Sequence, residues 1–598
     1  MTATDSIDTI LDRHHRDGTR LLQILRETQE ALGWLAPETL THIAAAIGWP
    51  RAKVEGTAGF YRFFHTRPLG RYRVLWSDNI TDRMLGSAEL MHAMCAQLWL
   101  EPGRVSEDGL VSVDTTSCTG MCDQGPAVLV NYRAVTGMTI QRVNQMAELI
   151  RSEIAVPEWP AEWFSIADNI RRADILLGNT SQPGTALRAA ISRGAGATLD
   201  EIKLSNLRGR GGAGYTTGLK WEACRDAPVP AGNVQRYIVC NADEGEPGTF
   251  KDRVLLTTQA DLVVDGMTVA AYVVGATKGY IYLRGEYRYL LDQLTELLAR
   301  RRASGLLGRD IAGQAGFCFD IEVHLGAGAY ICGEESALIE SLEGKRGIPR
   351  NRPPYPITNG FLNCPTVVNN VETFASAALI ALNGGEWYRN IGTAKSSGTK
   401  LLSISGDCAR PGIYEVPFGI AVADILEDCG ASRVQAVQIS GPSGVCIDAT
   451  EFNRRIAFED LPTAGAFMIF NQQRDMFAVA RNFAHFFADE SCGFCTPCRV
   501  GTSLLRNCMD KIENGHASQH TMNEIFQLNR LLQTASHCGL GHTACNPMLD
   551  TMKKFRPAYE RRLKSLDFEP SFDLDSALAQ ARQMTGRDDA ASHLEGQS

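Results

Sequence analysis

The sequence predicts a multidomain protein that combines α/β and α+β units. Its 598 residues exceed what one ordinary hydrophobic core accommodates, so several domains are expected. Apolar residues recur at helical spacing near both ends of the chain, whereas short apolar strands alternate with helices and glycine-rich loops in its middle. Hydrophobic residues make up 44% and charged residues 21% of the chain, which is typical of a globular protein.

Charge and hydropathy exclude several classes of protein. The formal net charge of −9 gives no indication of nucleic-acid binding. The N-terminus lacks the apolar core of a secretory signal, and the longest apolar stretch, residues 262–276, contains Asp265 and is too short to span a bilayer. We therefore expect a cytoplasmic protein without direct membrane insertion. In that reducing compartment, the 17 cysteines are expected as cluster ligands or core residues rather than as disulfides.

The first part of the chain predicts a helical segment followed by a small α/β unit. Residues 1–68 carry apolar side chains at helical spacing. Residues 69–155 contain apolar stretches typical of about four strands, together with a helix over residues 87–100. The Pro- and Trp-rich segment 156–163 predicts a connector to the next domain.

The remaining chain predicts three more domains. Residues 165–390 alternate strands, helices and glycine loops, which favours an α/β domain with a largely parallel sheet. Residues 391–472 contain short strands and turns and predict a small β-rich domain. Residues 473–565 predict a helical bundle, and residues 566–598 form a polar tail that we expect to be poorly ordered.

Four cysteines near the C-terminus have the spacing of a [4Fe–4S] site. Cys492, Cys495 and Cys498 are three residues apart, and Cys538 returns from a later segment. A tight turn can aim three such thiolates at one cluster. Zinc sites normally use two pairs of cysteines, so the three-plus-one pattern favours iron over zinc and over unligated thiols.

A glycine-rich loop at residues 207–221 indicates an anion site. Residues 209–214 match G-x-G-x-x-G, but the preceding residues look helical and no acidic residue follows about 20 residues on, so an ordinary Rossmann fingerprint is not indicated. Backbone N–H groups of such a loop can still cradle an anion, and Arg210 and Lys220 add positive charge. Tyr215 suits stacking on a flat ring. A purely structural turn is the alternative.

Three further segments carry polar groups where α/β domains bind ligands. Residues 240–253 follow an apolar strand, and their carboxylates suit ribose or ribityl hydroxyls or else form a solvated turn. Residues 326–356 offer an aromatic ring and two acids for an adenine and a ribose, and residues 365–373 offer amides and a hydroxyl for a phosphate or a ring edge.

Taken together and in this order, these motifs resemble the NADH-binding, FMN-containing subunit of respiratory complex I and its soluble relatives. The resemblance rests on GRGGAG, CNADEGEPGTFKDR, GAYICGEESALIESLEG, PTVVNNVET and ESCGFCTPC and covers about residues 165–560. It implies a Rossmann-like FMN-binding domain, a ubiquitin-like β-rich domain and a helical bundle with one [4Fe–4S] cluster. It also implies hydride exchange between NAD(H) and FMN and single-electron transfer to the cluster. Because the cofactors carry this chemistry, no side chain is predicted to be catalytic.

The resemblance assigns binding residues position by position. Those implied for FMN are Gly209, Arg210, Gly211, Lys220, Asn241, Asp243, Glu244, Tyr330, Gly333, Glu334, Asn369, Asn370 and Thr373. Those implied for NAD(H) are Tyr215, Glu246, Glu335, Arg352 and Tyr355, and those for the cluster are Cys492, Cys495, Cys498 and Cys538. The family usually has Phe-Pro in place of Tyr215-Thr216, and often Lys and Phe at the positions of Arg352 and Tyr355.

The first 155 residues resemble the thioredoxin-like [2Fe–2S] subunit of complex I, with half of its cluster motif changed. That subunit supplies four cysteines as C-x4-C and C-x3-C. Cys118 and Cys122 keep the second pair, whereas Ser77 and Asp82 replace the first. Serine and aspartate are poor ligands for such a cluster, so we expect no [2Fe–2S] centre here and a docking role for this domain.

A fusion of these two parts resembles the flavin (diaphorase) subunit of soluble, cytoplasmic NAD-reducing nickel–iron hydrogenases. This resemblance implies an NAD-dependent flavin and iron–sulfur oxidoreductase that supports hydrogen-dependent NAD+ reduction. The implied partners are a small iron–sulfur diaphorase subunit and the nickel–iron hydrogenase subunits, because this sequence shows no pair of C-x-x-C motifs suited to nickel. The alternatives are a subunit of complex I or of an NAD-dependent formate dehydrogenase, and a non-catalytic iron–sulfur scaffold.

Overall fold

A computed structural model describes residues 3–229, 235–564 and 574–588. Among these residues, sheets of five, four and six strands occur together with helices, which confirms the expected mixture of α/β and α+β units. Within the described residues, no single helix is both long and apolar enough to cross a membrane. One pair, Lys251–Thr258 and Ala260–Val274, reaches that length and composition only when joined across a 94° bend.

The N-terminal segment is helical, as expected. Its α-helices are Ala3–Arg13, Leu21–Leu32, Pro37–Ala46 and Arg51–Ala58. Their apolar side chains pack against the domain of the parallel sheet, and Gln23 Nε2 donates to the carbonyl of Leu325 at 3.0 Å. Tyr61 anchors the last helix, because its hydroxyl donates to the carbonyl of Lys345 at 2.7 Å. This segment therefore covers a distant part of the chain.

The first sheet has five strands, one more than the sequence predicts. Their spatial order is Arg104–Val105, Val111–Thr116, Tyr72–Ser77, Val128–Val130 and Arg133–Val135. The helices of this unit are Ile80–Met84, Ser87–Gln97 and Ile140–Arg151. The central pair, Tyr72–Ser77 and Val111–Thr116, is parallel, and the other pairs are antiparallel. The additional strand, Arg104–Val105, is only two residues long, too short to carry a periodic pattern.

The second sheet is entirely parallel, as the alternation of strands and helices predicts. Its order is Thr366–Asn370, Tyr237–Ala242, Lys278–Leu283 and Asp320–Leu325. Its helices are Thr185–Arg193, Ala195–Leu204, Thr217–Asp226, Lys251–Thr258, Ala260–Val274, Leu291–Ala303, Glu335–Leu342, Pro356–Asn359, Val371–Asn383 and Gly385–Arg389. Asn241 and Asn370 are register partners, so the polar residues that follow their two strands meet at the same sheet edge.

The third sheet includes a strand that the sequence places elsewhere. Its order is Val445–Asp448, Val434–Ile439, Ala466–Asn471, Thr399–Gly406, Gly412–Pro417 and Ile170–Arg172. The α-helix Val422–Asp428 packs with this sheet. The sequence assigns residues 165–390 to one unit, but Ile170–Arg172 pairs in parallel with Gly412–Pro417. The chain therefore crosses the β-rich unit before it enters the parallel sheet.

The C-terminal part is helical, as expected. Its helices are Met476–Glu490, Thr496–Glu513, Gln519–Ala535, Gly539–Thr543, Asn546–Lys554 and Arg556–Glu560. One further helix, Leu574–Thr585, lies within the segment 566–598 that the sequence analysis treats as a polar tail. Residues 566–573 and 589–598 of that tail lie outside the described residues.

Candidate functional site

A cavity of about 470 Å³ lies at the carboxyl edge of the parallel sheet. It is bounded by the glycine loop, the segment after strand Tyr237–Ala242, the turn Tyr330–Gly333, the β-rich unit and the segment after Cys538. The predicted residues that line it are Gly211, Asn241, Asp243, Glu244, Glu246, Tyr330, Gly333, Glu334, Asn370 and Cys538. The structure thus brings together residues from the glycine loop, from the segments 240–253, 326–356 and 365–373, and from the cysteine set near the C-terminus.

The glycine loop lets backbone approach the cavity closely. It follows helix Ala195–Leu204 rather than a strand, in agreement with the sequence analysis. Gly211 lines the cavity, and a Cβ atom there would lie 3.2 Å from the Cβ of Asn370. Gly212 has a φ of +121°, which side-chain-bearing residues rarely adopt. The loop is therefore shaped for a flat or anionic ligand lying against the main chain.

Three of the residues predicted to hold FMN do not line the cavity but make hydrogen bonds next to it. The guanidinium of Arg210 is buried and donates to the hydroxyl of Tyr388 at 2.8 Å and to the carbonyl of Ser397 at 2.7 Å. The backbone N–H of Arg210 donates to Oγ1 of Thr373 at 2.9 Å. Oδ1 of Asn369 accepts from the indole of Trp221 at 2.9 Å. These contacts fix the glycine loop against neighbouring elements.

The carboxylates after strand Tyr237–Ala242 have strongly perturbed acidity. Burial raises the pKa of both Glu244 and Glu246 to about 7. Burial also raises the pKa of Asp243, whose Oδ2 has no hydrogen-bond partner among the described residues. A buried acceptor without a donor fits a ligand hydroxyl, so this wall suits the ribityl or ribose hydroxyls of a nucleotide.

A buried charge network behind the cavity was not predicted as part of the site. Nζ of Lys251 lies 2.6 Å from Oδ1 of Asp252 and 3.1 Å from Oε2 of Glu372, and Glu372 also pairs with Lys400. Burial lowers the pKa of Lys251, but Asp252, Glu372 and Glu244 outweigh it and raise that pKa. Lys251 and Asp252 line the cavity and lie inside the motif CNADEGEPGTFKDR, which gave the only sequence signal for them.

The β-rich unit supplies another part of the wall that the sequence did not indicate. Ser440, Ser443 and Ala464 line the cavity. The backbone N–H of Ser443 donates to Oε1 of Glu246 at 2.8 Å. The hydroxyl of Tyr330 donates to Oε2 of the same carboxylate at 2.5 Å. Glu246 therefore ties the β-rich unit to the turn that begins at Tyr330.

Most residues predicted for NAD(H) lie outside the cavity wall. Nζ of Lys220 lies 2.7 Å from Oε2 of Glu335, and Nη1 of Arg352 lies 3.1 Å from Oε1 of Glu334. Tyr215 and Tyr355 are 56% and 51% exposed, so both rings are accessible for stacking. Gly209, like these residues, belongs to the surrounding segments and not to the lining of the cavity.

The four predicted cluster cysteines line one pocket. Cys492 and Cys495 precede helix Thr496–Glu513, Cys498 lies in its first turn, and Cys538 precedes helix Gly539–Thr543. Burial, followed by neighbouring cysteines, raises the pKa of Cys498 to about 11 and that of Cys538 to about 12. The thiols surround a pocket rather than a point: no three His, Cys, Asp or Glu side chains of the described chain converge closely enough for a single metal ion. This set of sulfur donors fits an iron–sulfur cluster.

The cavity and the cysteine pocket share part of their walls. Ile331, Cys538 and Leu540 line both. Tyr330 adds a second connection, because its ring packs edge-on against Phe486 of the helix that leads to the cysteines, with centroids 5.0 Å apart. A ligand in the cavity would thus be separated from the cysteine pocket by single side chains.

The second cysteine pair does not fit a [2Fe–2S] cluster. Oγ of Ser77 donates to Oδ2 of Asp82 at 2.7 Å, so these two replacements bind each other, and burial raises the pKa of Asp82 to about 8. The Sγ atoms of Cys118 and Cys122 lie only 3.2 Å apart. The hydrogen bond from Cys122 lowers the pKa of Cys118 to about 7. A cluster would need four separate sulfur-like donors, and this constellation provides two.

Three segments of the chain match known protein families. Residues 7–151 match a thioredoxin-like [2Fe–2S] ferredoxin family, residues 202–378 match the Nuo51 FMN-binding domain, and residues 478–562 match the NADH-ubiquinone oxidoreductase-F iron–sulfur binding region. The cavity and the cysteine pocket fall within the second and third segments, apart from the wall given by the β-rich unit.

Curated proteins and solved structures resemble the chain over most of its length. The NAD-reducing hydrogenase HoxS subunit alpha of Cupriavidus necator is 42% identical over 96% of this chain and 97% of its own. One component of the NADH-quinone oxidoreductase of Escherichia coli is 40% identical over 61% of this chain and 84% of its own. The crystal structure of an NAD+-reducing [NiFe]-hydrogenase in the H2-reduced state includes a chain with a TM-score of 0.89 and 42% identity, covering 97% of this chain and 99% of that one.

Proposed function

This chain belongs to the family of the alpha subunits of NAD-reducing hydrogenases, and from that premise we propose that it exchanges hydride between NAD(H) and FMN and relays single electrons through a [4Fe–4S] cluster. The observation that carries this proposal is that Cys538 lines both the nucleotide-sized cavity and the cysteine pocket. The cavity would serve two-electron transfer and the cysteine pocket one-electron transfer. A common wall between them suits a protein that converts hydride transfer into single-electron transfer.

The cavity walls hold FMN in this proposal. Bound FMN exchanges hydride with nicotinamide and single electrons with an iron–sulfur cluster. Gly211 and the adjoining main chain would support the flat ring system, and Oδ2 of Asp243 would accept a hydrogen bond from a ribityl hydroxyl. Lys251 places positive charge in the cavity wall for the phosphate, balanced by Asp252 and Glu372. Asn241 and Asn370 add amide groups at the sheet edge.

The exposed margin of the cavity binds NAD(H) in this proposal. Tyr215 and Tyr355 present accessible rings for stacking on the bases. Arg352 presents a cation toward a pyrophosphate and is paired with Glu334. Lys220, which the resemblance assigns to FMN, is proposed to face the dinucleotide as well, because it is paired with Glu335. Glu335 thereby adjusts the affinity for the dinucleotide through the charge on Lys220.

The other half of the reaction takes place on partner subunits. The relative that matches 96% of this chain belongs to an NAD-reducing hydrogenase, whereas the NADH-quinone oxidoreductase component matches only 61%. This difference favours a nickel–iron hydrogenase and a small iron–sulfur subunit as partners over the complex I alternative. The direction of net reaction would then be hydrogen-dependent reduction of NAD+.

The test is to purify the complex through this chain anaerobically and to supply hydrogen and NAD+. Formation of NADH supports both the flavin site and the hydrogenase partner. Oxidation of NADH with ferricyanide but no hydrogen-dependent reduction would support the flavin site and reject the partner. Absence of both activities in a complex that retains FMN and iron would reject the proposal.

A further inference from the structure

A close pair of cysteines lies outside the electron-transfer site and has no role in the function proposed above. Cys118 and Cys122 are buried, with 1% and 4% of their surfaces exposed, and their sulfur atoms are 3.2 Å apart. A disulfide needs its sulfurs about 2 Å apart, so a small movement of one side chain would join them. The pair is separated by three residues in a buried loop without regular secondary structure.

Each of the two sulfur atoms accepts a hydrogen bond from a nearby N–H group, and such hydrogen bonds stabilise a thiolate. The backbone N–H of Gly120 approaches Sγ of Cys118 at 3.4 Å, and Nδ2 of Asn79 donates to Sγ of Cys122 at 3.1 Å. The guanidinium of Arg284 donates to the carbonyl of Cys118 at 2.8 Å and so places a positive charge beside the pair. A thiolate with hydrogen-bond donors and a cation nearby is the reactive form of cysteine.

A small cavity connects this pair with the surface. Its volume is about 30 Å³, and it is lined by Cys118 together with Arg62, Asn79, Ser117 and Pro247. That volume admits a molecule the size of water or hydrogen peroxide. Cys122 does not line this cavity. Access is therefore asymmetric, with Cys118 in front and Cys122 behind it.

We propose that Cys118 and Cys122 form a peroxide-reactive dithiol, in which Cys118 attacks the oxidant and Cys122 resolves the product. The Cys118 thiolate attacks one oxygen of hydrogen peroxide, the O–O bond breaks, and the released hydroxide takes a proton to give water. The sulfenic acid on Cys118 then reacts with the Cys122 thiol to give a disulfide and a second water. The dithiol thus loses two electrons and the peroxide gains two; a small dithiol such as dithiothreitol reverses the oxidation by exchange.

The loop that carries the two cysteines is connected to the wall of the nucleotide-sized cavity described above. The same Arg284 that holds the carbonyl of Cys118 donates to the carbonyl of Glu244 at 2.7 Å. Gly120, between the two cysteines, is packed so tightly that a Cβ atom there would lie 2.3 Å from the hydroxyl of Tyr287, which donates to Glu244 at 2.8 Å. The cysteine loop and a carboxylate of the cavity wall are therefore linked through Arg284 and Tyr287.

The primary test uses the purified complex and requires no substitution. Trypsin releases residues 105–133 as one peptide that contains Cys118 and Cys122 and no other cysteine. After exposure to stoichiometric hydrogen peroxide and alkylation without reduction, this peptide should be two hydrogen atoms lighter and unalkylated. Dithiothreitol before alkylation should restore two alkylation sites. A peptide that remains doubly alkylated after peroxide would overturn the proposal.

A comparison with Cys95 separates specific reactivity from general oxidation. Cys95 is also buried in the N-terminal region, and burial raises its pKa to about 11. The Cys118–Cys122 pair should oxidise at least about tenfold faster than Cys95, because only the thiolate attacks peroxide. Equal rates for the two sites would contradict the proposal.

Two variants assign the roles within the pair. In Cys122→Ser, a dimedone adduct should accumulate on Cys118, whereas Cys118→Ser should leave Cys122 as a thiol. The reverse pattern would overturn the assigned order. Iron and acid-labile sulfide are measured in the same samples, and their loss in Cys118→Ser would show that the pair binds a cluster and would overturn the proposal.

Discussion

The ammonium group of Lys220 lies 2.7 Å from Oε2 of Glu335, joining the helix after the glycine loop to the helix after the turn Tyr330–Gly333. Both side chains are mostly buried, with 16% and 24% of their surfaces exposed. The carboxylate therefore neutralises a cation at the margin of the cavity. If the dinucleotide binds as proposed, its phosphates compete with Glu335 for Lys220.

Replacing Glu335 by Gln should strengthen the binding of NAD(H). The substitution removes one negative charge and frees Lys220 to meet the dinucleotide phosphates, so the KM for NADH should fall by about three- to tenfold with little change in kcat. Steady-state NADH oxidation with ferricyanide gives both constants. Glu340→Gln, the same change on the same helix but beside Arg350, is the matched control and should leave KM unchanged. An unchanged KM in Glu335→Gln would reject this role.

The KM for NADH should depend on pH through Glu246. Burial raises its pKa to about 7, while the hydrogen bond from Tyr330 lowers it. As pH rises from 6 to 8, ionisation of Glu246 adds negative charge to the cavity, so the KM should increase with a midpoint near 7. Tyr330→Phe removes a donor to the carboxylate and should move that midpoint to higher pH. Tyr414→Phe, whose hydroxyl donates to the distant carbonyl of Arg410, should not move it.

The same carboxyl should make stability depend on pH. Its pKa in the folded protein lies above the ordinary value, so its contribution is fully present below about pH 4.5 and is lost as pH rises through about 7. Glu246→Gln should therefore flatten the fall in stability between these values, measured by urea unfolding at several pH values. A variant with the same slope as the original protein would show that another group titrates there.

The buried network behind the cavity should be costly to break. Lys400 and Glu372 are fully buried and paired, and Glu372 also contacts Lys251 at 3.1 Å. Lys400→Met leaves one buried carboxylate with a partner missing and should lower the free energy of unfolding by about 3–5 kcal/mol. Lys278→Met removes a partly exposed pair with Glu322 and should cost less than about 1 kcal/mol. If urea unfolding shows that the two variants lose the same free energy of unfolding, burial of the network does not increase its contribution to stability.

The sequence predicts those parts of the site whose signals are local. The helix before the glycine loop follows from its periodicity, and the structure confirms it as Ala195–Leu204. The cysteine spacing predicts that Cys538 returns to Cys492, Cys495 and Cys498, and all four line one pocket. In both cases, the residues whose spacing gives the prediction are the same residues that form the helix or line the pocket.

Other features depend on contacts between distant parts of the chain and have no local signal. Ile170–Arg172 is only three residues long and joins the third sheet by pairing with a strand more than 200 residues away. Ser443 reaches the cavity from the β-rich unit, and its contact with Glu246 spans 197 residues. Lys400 gains its significance only from burial beside Glu372. Such contacts depend on how distant segments pack together. The spacing of residue types along the chain does not show which distant residues will meet.

Cys538 should be essential for the cluster and for transfer to partner subunits, but not for the cavity's reaction with NADH. Cys538→Ser removes one of four sulfur donors, so iron and acid-labile sulfide per chain should fall by at least about half. Serine is of similar size, so the wall that Cys538 shares with the cavity remains and FMN content should be kept. Oxidation of NADH with ferricyanide should then persist, while hydrogen-dependent NAD+ reduction should fall by more than about 100-fold, since a missing relay interrupts electron transfer. Cys545→Ser, at a buried cysteine nearby that does not line the cysteine pocket, is the matched control and should keep its iron. If Cys538→Ser retains a full complement of iron, Cys538 is not a cluster ligand. If it loses FMN and iron together, the cavity does not bind FMN independently of the cluster.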